Sequence, residues 1–223
     1  MMCIKDNIAA VNLQIESACQ QANRSPKQVT LLAVSKTKPI DMIEQIYQTG
    51  QRCFGENYIQ EAVEKIVQLK HLQNIVWHYI GPIQSNKTKL IAENFDWVQS
   101  VDRAKVITRL NEQRSCHHTP LNVCLQVNIS QESSKSGILI EQLNELAEQV
   151  NSAEHLTLRG LMAIPEKNNV AQSFKQMESL FNALKQRYSS VDTLSMGMSG
   201  DLEQAIASGS TMVRIGTAIF GER

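Results

Sequence analysis

Eight short β-rich runs recur along this chain, each separated from the next by a stretch of helical character. The runs are VTLLAVSK (29–36), RCFGEN (52–57), IVWHYIG (75–81), WVQSVD (97–102), NVCLQVNIS (122–130), LRGLMAIP (158–165), TLSMGMS (193–199) and MVRIGTAIFG (212–221). Between them apolar residues return with a 3.6-residue period. Leu143, Leu146, Ala147 and Val150 form one stripe; Phe174, Met177, Phe181 and Leu184 form another. Such alternation predicts a parallel sheet that is either a closed barrel or an open doubly wound sheet. The barrel is favoured, because eight units use up nearly all of the 223 residues and about 250 is typical of that fold. The expectation is an α/β chain, a single (β/α)8 TIM-type barrel over residues 1–223, with an extra N-terminal helix outside it. No linker rich in Gly, Pro or Ser divides the chain into domains.

Lys+Arg and Asp+Glu both number 22, so the formal net charge is zero. Sequence-independent binding to nucleic acid or to an anionic membrane requires a basic surplus, and neither partner is expected. No apolar run approaches the roughly 18 residues that span a bilayer. The N-terminal stretch mixes charged and amide residues into its apolar positions and reads as an amphipathic helix, not a signal peptide. Five cysteines, odd in number and without a CxxC pair, fit reduced thiols in a cytoplasmic protein.

In a parallel barrel, chemistry sits where strands end. Here those ends carry Lys36, Asn57, the stretch 78–87, Asp102, Asn128, Ser199 and Arg214, whereas the starts are plain residues such as Val29, Ile75 and Leu158. Leu32, Val34 and Lys36 share one strand face. If that face points inward, the lysine leaves water for an apolar mouth, where desolvation favours the free amine that Schiff-base chemistry needs. The plainer reading is a strand-end lysine reaching into solvent.

The carboxyl end of the chain shifts that balance. Ser199-Gly200-Asp201 precedes the helical stretch LEQAIASG and offers a hydroxyl and free N–H groups to an anion. Gly216-Thr217 gives a second close approach of backbone. Either turn alone is an ordinary helix start; together, after strands seven and eight, they sit where such barrels bind phosphate. Arg214 shares a face with Met212 and Gly216, and an inward arginine needs a partner because it keeps its charge. That partner is either a structural acceptor or a ligand. Cys116-His117-His118 reads as a polar loop, without a second cluster to complete a metal site. His71 and His155 read as solvated. No Gly-x-Gly-x-x-Gly, Walker loop or Gly-x-Ser-x-Gly occurs.

These residues resemble the pyridoxal phosphate homeostasis protein family, which is related to the N-terminal domain of alanine racemase. The resemblance rests on AVSKTKP (33–39), FGENYIQE (54–61), HYIGPIQSNKTK (78–89), LQVNISQESSKSG (125–137), LRGLMAIP (158–165), SMGMSGDLEQAI (195–206) and GSTMVRIGTAIFG (209–221). It implies pyridoxal 5′-phosphate (PLP) as cofactor, held as a covalent Schiff base on Lys36. It implies phosphate contacts from Ser199, Gly216 and Thr217, with Gly200 in the same loop, Arg214 facing the pyridine nitrogen, and Asn57 beside the ring. Two departures stand out: Gly200 occupies a position often acidic in relatives, and the chain ends at Glu222-Arg223 without a basic or aromatic tail.

A guanidinium cannot take a proton from the ring and disfavours the pyridinium that serves PLP enzymes as an electron sink. Racemisation also needs a base on each face of the substrate carbon. Tyr58 and Tyr79 are the tyrosines near strand ends, and the second domain of alanine racemase is not expected here. The leading expectation is therefore a non-catalytic carrier that buffers PLP and delivers it to apo PLP-dependent enzymes, monomeric by default, with Lys38 as a transient acceptor or a solvated lysine. A low-activity amino-acid racemase and a Schiff-base aldolase for a sugar phosphate are the alternatives.

Overall fold

The computed structural model describes residues 3–114, 119–130, 136–165 and 169–222; Cys116-His117-His118 lies outside them. Helix α1 (Ile4–Gln21) comes first. Then β1 (Thr30–Val34), α2 (Ile40–Tyr47), β2 (Cys53–Glu56), α3 (Ile59–Gln68), β3 (Val76–Tyr79), α4 (Thr88–Asn94), β4 (Trp97–Val101) and α5 (Ala104–Gln113) alternate. The pattern continues with β5 (Leu121–Gln126), α6 (Leu143–Asn151), β6 (Leu156–Met162), α7 (Val170–Arg187), β7 (Thr193–Ser195), α8 (Leu202–Ala207), β8 (Met212–Ile215) and α9 (Thr217–Phe220). Among the described residues eight strands close in sequence order, β8 pairing with β1. Every pairing is parallel. The closed barrel is the one the alternation favours, and it settles the matter against the open sheet.

The strand alternation separates two interiors. Leu31, Ala33, Phe54, Val98, Val213 and Ile215 point outward into one large apolar core shared with the helices. Both predicted stripes bury there, Leu143 to Val150 on α6 and Phe174 to Leu184 on α7. α1 packs outside the barrel, burying Ile8, Val11, Ile15, Ala18 and Cys19. Polar bonds tie it and its following turn to the end of the chain, from Asn7 Nδ2 to Ile219 O (3.0 Å) and from Arg24 Nη1 to Ile206 O (2.7 Å).

Inside the barrel Trp97, Cys124 and Met162 cluster with Val76 against them, and Leu32 and Met212 are buried apart from the large outer core. A directed polar chain runs among them. Arg214 Nη1 donates to Ser195 O (2.7 Å) and Ser195 Oγ (2.8 Å), and Nη2 donates to Ala163 O (2.9 Å). Ser195 Oγ donates onward to Gln99 Oε1 (2.6 Å). That leaves the Gln99 amide nitrogen facing His78 Nδ1 (2.9 Å) and Met212 Sδ (3.1 Å). The order of donors assigns His78 as the neutral tautomer with its proton on Nε2. Its ring stacks on Trp97 with centroids 5.0 Å apart.

Strands six and eight differ in length from the runs expected. β8 stops at Ile215, because Gly216 breaks the extension and its carbonyl accepts from Ile219 N and Phe220 N to start α9. β6 carries an irregularity opposite Val123/Cys124. There Gly160 has φ +148°, and an added Cβ would lie 1.8 Å from Thr193 O. Gly160→Ala is therefore expected to cost about 2–4 kcal/mol, seen as a lowered urea midpoint at unchanged m-value.

Burial, helped by the Arg159 charge, lowers the His78 pKa from 6.5 to about 3. Between those values the unfolded chain binds the proton and the folded chain does not. Stability is thus full above the upper value and falls as pH drops toward the lower, by about 1.4 kcal/mol per pH unit from this group. In urea unfolding at pH 7 and pH 4.5, His78→Gln should flatten that loss.

Candidate functional site

β1 lies between β8 and β2, so the residues that follow β1 emerge between those that follow its two neighbours. On the β2 side Val34 is in register with Gly55, and Ser35 N donates to Gly55 O (3.0 Å). Lys36 consequently leaves the barrel beside Asn57. On the β8 side Leu32 is in register with Arg214. Gly216 lies so close to β1 that a Cβ there would sit 3.3 Å from Val34 O. The register alone gathers Lys36, Asn57 and Gly216-Thr217 at one mouth, with the Arg214 guanidinium a layer deeper.

Lys36 is not buried in an apolar mouth. β1 ends two residues earlier, at Val34, and Thr37, which follows the lysine, takes a left-handed conformation (φ 61°). Lys36 therefore stands at the rim, partly exposed. Among the described residues nothing hydrogen-bonds or ion-pairs with its amine. Lys38 is engaged elsewhere: Nζ donates to Phe220 O (3.3 Å), Gly221 O (2.9 Å) and Glu222 O (3.0 Å). It ties this segment to the end of α9 while remaining partly exposed.

Asn57 is held through its backbone. Its carbonyl accepts from Tyr79 Oη (3.2 Å), and Gly81 presses on it so closely that a Cβ at Gly81 would lie 2.1 Å away. The side-chain Oδ1 is buried with no partner among the described residues, which leaves an acceptor for a donor that these residues do not supply. Asn57 also lines a cleft of ≈ 240 Å³ with Ile80, Pro82, Gln126, Ser136 and Ile164. A neighbouring cleft of ≈ 450 Å³ shares Asn57 and Pro82 and adds Tyr58, Gln84 and Lys87.

Ser199 and Gly200 lie on the exposed loop between β7 and α8. The helix cap is Asp201, whose Oδ1 accepts from Met198 N (2.5 Å); Ser199 is not the cap. β7 ends early, at Ser195, because Gly197 turns to φ 96°. Gly197 O accepts from Arg214 N (3.0 Å), so the loop carrying Ser199 leaves the barrel next to the strand that leads to Gly216 and Thr217. Gly216 caps α9, and Thr217 is exposed. Two adjacent loops, each opening into a short helix, thus present hydroxyls and backbone N–H groups together.

Some expected strand-end residues belong elsewhere. His78 lies inside the barrel, as described, and Asp102 pairs with Arg103 (2.6 Å). Sequence reading missed the Glu56, Glu61 and Lys65 cluster behind the Lys36 loop. The signal was present as a Glu61/Lys65 pair four apart on α3, a spacing that in most helices marks a solvated surface pair. No group of three or more potential metal ligands occurs among the described residues, and no described helix is long and apolar enough to cross a membrane.

Comparison with known proteins bears on this arrangement. The family model "Alanine racemase, N-terminal domain" matches residues 8–223. The pyridoxal phosphate homeostasis protein of Pasteurella multocida is 56% identical over 230 residues, covering 100% of this chain and 98% of that protein. Its Escherichia coli K12 counterpart is 53% identical, covering 99% and 97%. The structure of PipY from Synechococcus elongatus with PLP bound superposes with a TM-score of 0.85 at 33% identity, over 98% of this chain and 100% of that one. Alanine racemase from Streptomyces coelicolor has a TM-score of 0.75 at 16% identity, over 96% of this chain and 58% of its own, a likeness of fold alone. Matched along nearly its whole length, the chain belongs to the pyridoxal phosphate homeostasis protein family, built on the barrel of the alanine racemase N-terminal domain.

Proposed function

We propose that this chain is a single-domain, cytoplasmic carrier of PLP that holds the cofactor reversibly on Lys36, keeps free aldehyde low and releases it to apo PLP-dependent enzymes. The observation that carries the reading is the register of β1: Lys36, whose amine has no partner among the described residues, follows the strand that lies between β2, which leads to the Asn57 acceptor left unpartnered among those residues, and β8, which leads to Gly216-Thr217. The full-length relatives named for pyridoxal phosphate homeostasis, and the neighbour with PLP bound, support it.

When bound, PLP supplies an aldehyde that condenses with a lysine amine, a phosphate dianion and a pyridine nitrogen. Lys36 would hold the aldehyde end, and its place on the rim leaves the bond open to water or an incoming amine. Ser199, Gly200, Gly216 and Thr217 would receive the phosphate. Asn57 would accept a hydrogen bond near the ring, and Arg214 would face the nitrogen. Burial lowers the Arg214 pKa to about 10, still far enough above neutrality to keep the guanidinium charged. A fixed positive charge there opposes protonation of the ring and so opposes carbanion chemistry.

The tyrosines add to the case against a racemase. Tyr79 Oη is bound to Asn57 O and Pro82 O (2.9 Å), and burial pushes its pKa up to about 12. It serves as a strut, not as an acid or base at neutral pH. Tyr58 is 49% exposed on the rim.

The test is the visible spectrum of the purified protein with PLP, before and after borohydride, with peptide mapping. An imine band fixed by reduction onto the peptide containing Lys36, and absent in Lys36→Ala, is the expected result. A band fixed on another lysine would sink the assignment; no band at all would sink the carrier. Interconversion of L- and D-amino acids that disappears in Lys36→Ala would move the racemase to the front.

A further inference from the structure

We propose that Glu61, braced by Lys65 and Glu56, is a positioning residue that presets the Lys36 loop for PLP capture; this rests on the reading of Lys36 as the anchor. Lys65, on α3, is 5% exposed. Its Nζ donates to Ser35 O (2.8 Å), Glu56 Oε1 (2.9 Å) and Glu61 Oε1 (2.5 Å). Ser35 Oγ donates to the same Glu56 oxygen (2.7 Å). Glu61 Oε1 also accepts from Thr37 N (2.6 Å). The residues on both sides of Lys36 are therefore tied to one charge cluster, while the lysine between them is left without a partner among the described residues.

Two features set this apart from a stabilising ion pair. First, burying charge is expensive, and apolar side chains of similar volume often stabilise as well or better. Desolvation raises the Glu56 pKa even against the opposing pull of Lys65. Second, the bond to Thr37 holds a left-handed residue that is not glycine (φ 61°), a conformation that β-branched side chains rarely adopt. That turn ends β1 and sets where the Lys36 side chain starts. Lys38, one residue further, grips the carbonyls at the end of α9, the helix that Gly216 and Thr217 open. The segment 35–38 thus spans from the acidic cluster on α3 to the loop proposed for the phosphate, and Glu61 holds its first turn.

Glu61 can be removed without leaving a buried charge alone. Lys65 and Glu56 still pair, and the Glu61 side chain is 30% exposed. In the apo protein, Glu61→Ala should speed hydrogen exchange at the Thr37 amide by about tenfold, the equivalent of one charge-assisted hydrogen bond. The rate at which added PLP becomes a borohydride-fixable adduct on Lys36 should fall by a similar factor, with the apo melting point lowered by only about 3–6 °C and the apo protein fully folded at the assay temperature. Glu61→Gln keeps an oxygen for Thr37 N and should recover part of the rate. Glu61→Met keeps side-chain length and should behave like Glu61→Ala, so a fold defect specific to alanine does not decide the matter. Wild-type capture in both the Ala and Met variants, whatever the exchange at Thr37, would overturn the proposal. A wild-type protein that forms no adduct on Lys36 would overturn the carrier reading instead, and the exchange result would stand independently.

Discussion

A guanidinium cannot discard its charge, and the barrel encloses one. Arg214 is 5% exposed, and burial of a charge is tolerated only with hydrogen bonds in place. Two backbone carbonyls and the Ser195 hydroxyl meet that need, and in doing so they orient everything below. Ser195 must donate to Gln99, Gln99 must turn its amide nitrogen to His78, and His78 must stay neutral. The interior is consequently a chain of fixed polarity rather than layers of branched aliphatics, and the main apolar core lies outside, between strands and helices. A cofactor resting on Arg214 would rest on a group that is itself immobilised.

The closed register is what turns scattered residues into a site. β1 is flanked by the strands next to it in sequence and by the last strand of the chain. Lys36 and Thr217 are far apart in sequence, yet the pairing of Ala33 with Ile215 brings their loops together. Rigid strands set this distance, and loops supply the chemistry, a division that suits a binding site reached from solvent. Lys36 is partly exposed past the end of β1 rather than enclosed by the barrel, a placement in keeping with the proposed reversible hold.

The cluster under the Lys36 loop extends the same logic. A lysine that forms a reversible bond gains from a fixed backbone, since less conformational freedom is lost on binding. Glu61 and Lys65 supply that constraint from a neighbouring helix. They leave the amine itself without a competing hydrogen bond among the described residues.

Much of this was legible in the chain before folding. The eight-fold alternation gave the class, and the α6 and α7 stripes buried as their period required. Those features are local, because periodicity is a property of short windows. The strand ends were less legible, since β1 stops at Val34 and β7 at Ser195, short of Lys36 and Ser199, and Arg214 lies within β8. Other features were not local. The end of β1 at Val34, the partnering of Lys38 with the last helix, the placement of His78 inside the barrel and the Glu61 bond to Thr37 all join residues from separate elements. A Glu61/Lys65 pair reads the same whether it faces water or the back of the loop that carries Lys36. Sequence determined which groups exist and which face of their own element they occupy. Tertiary structure decided their partners, because closing the barrel sets which strand ends and helix faces come within hydrogen-bonding distance, and burial then makes those bonds obligatory.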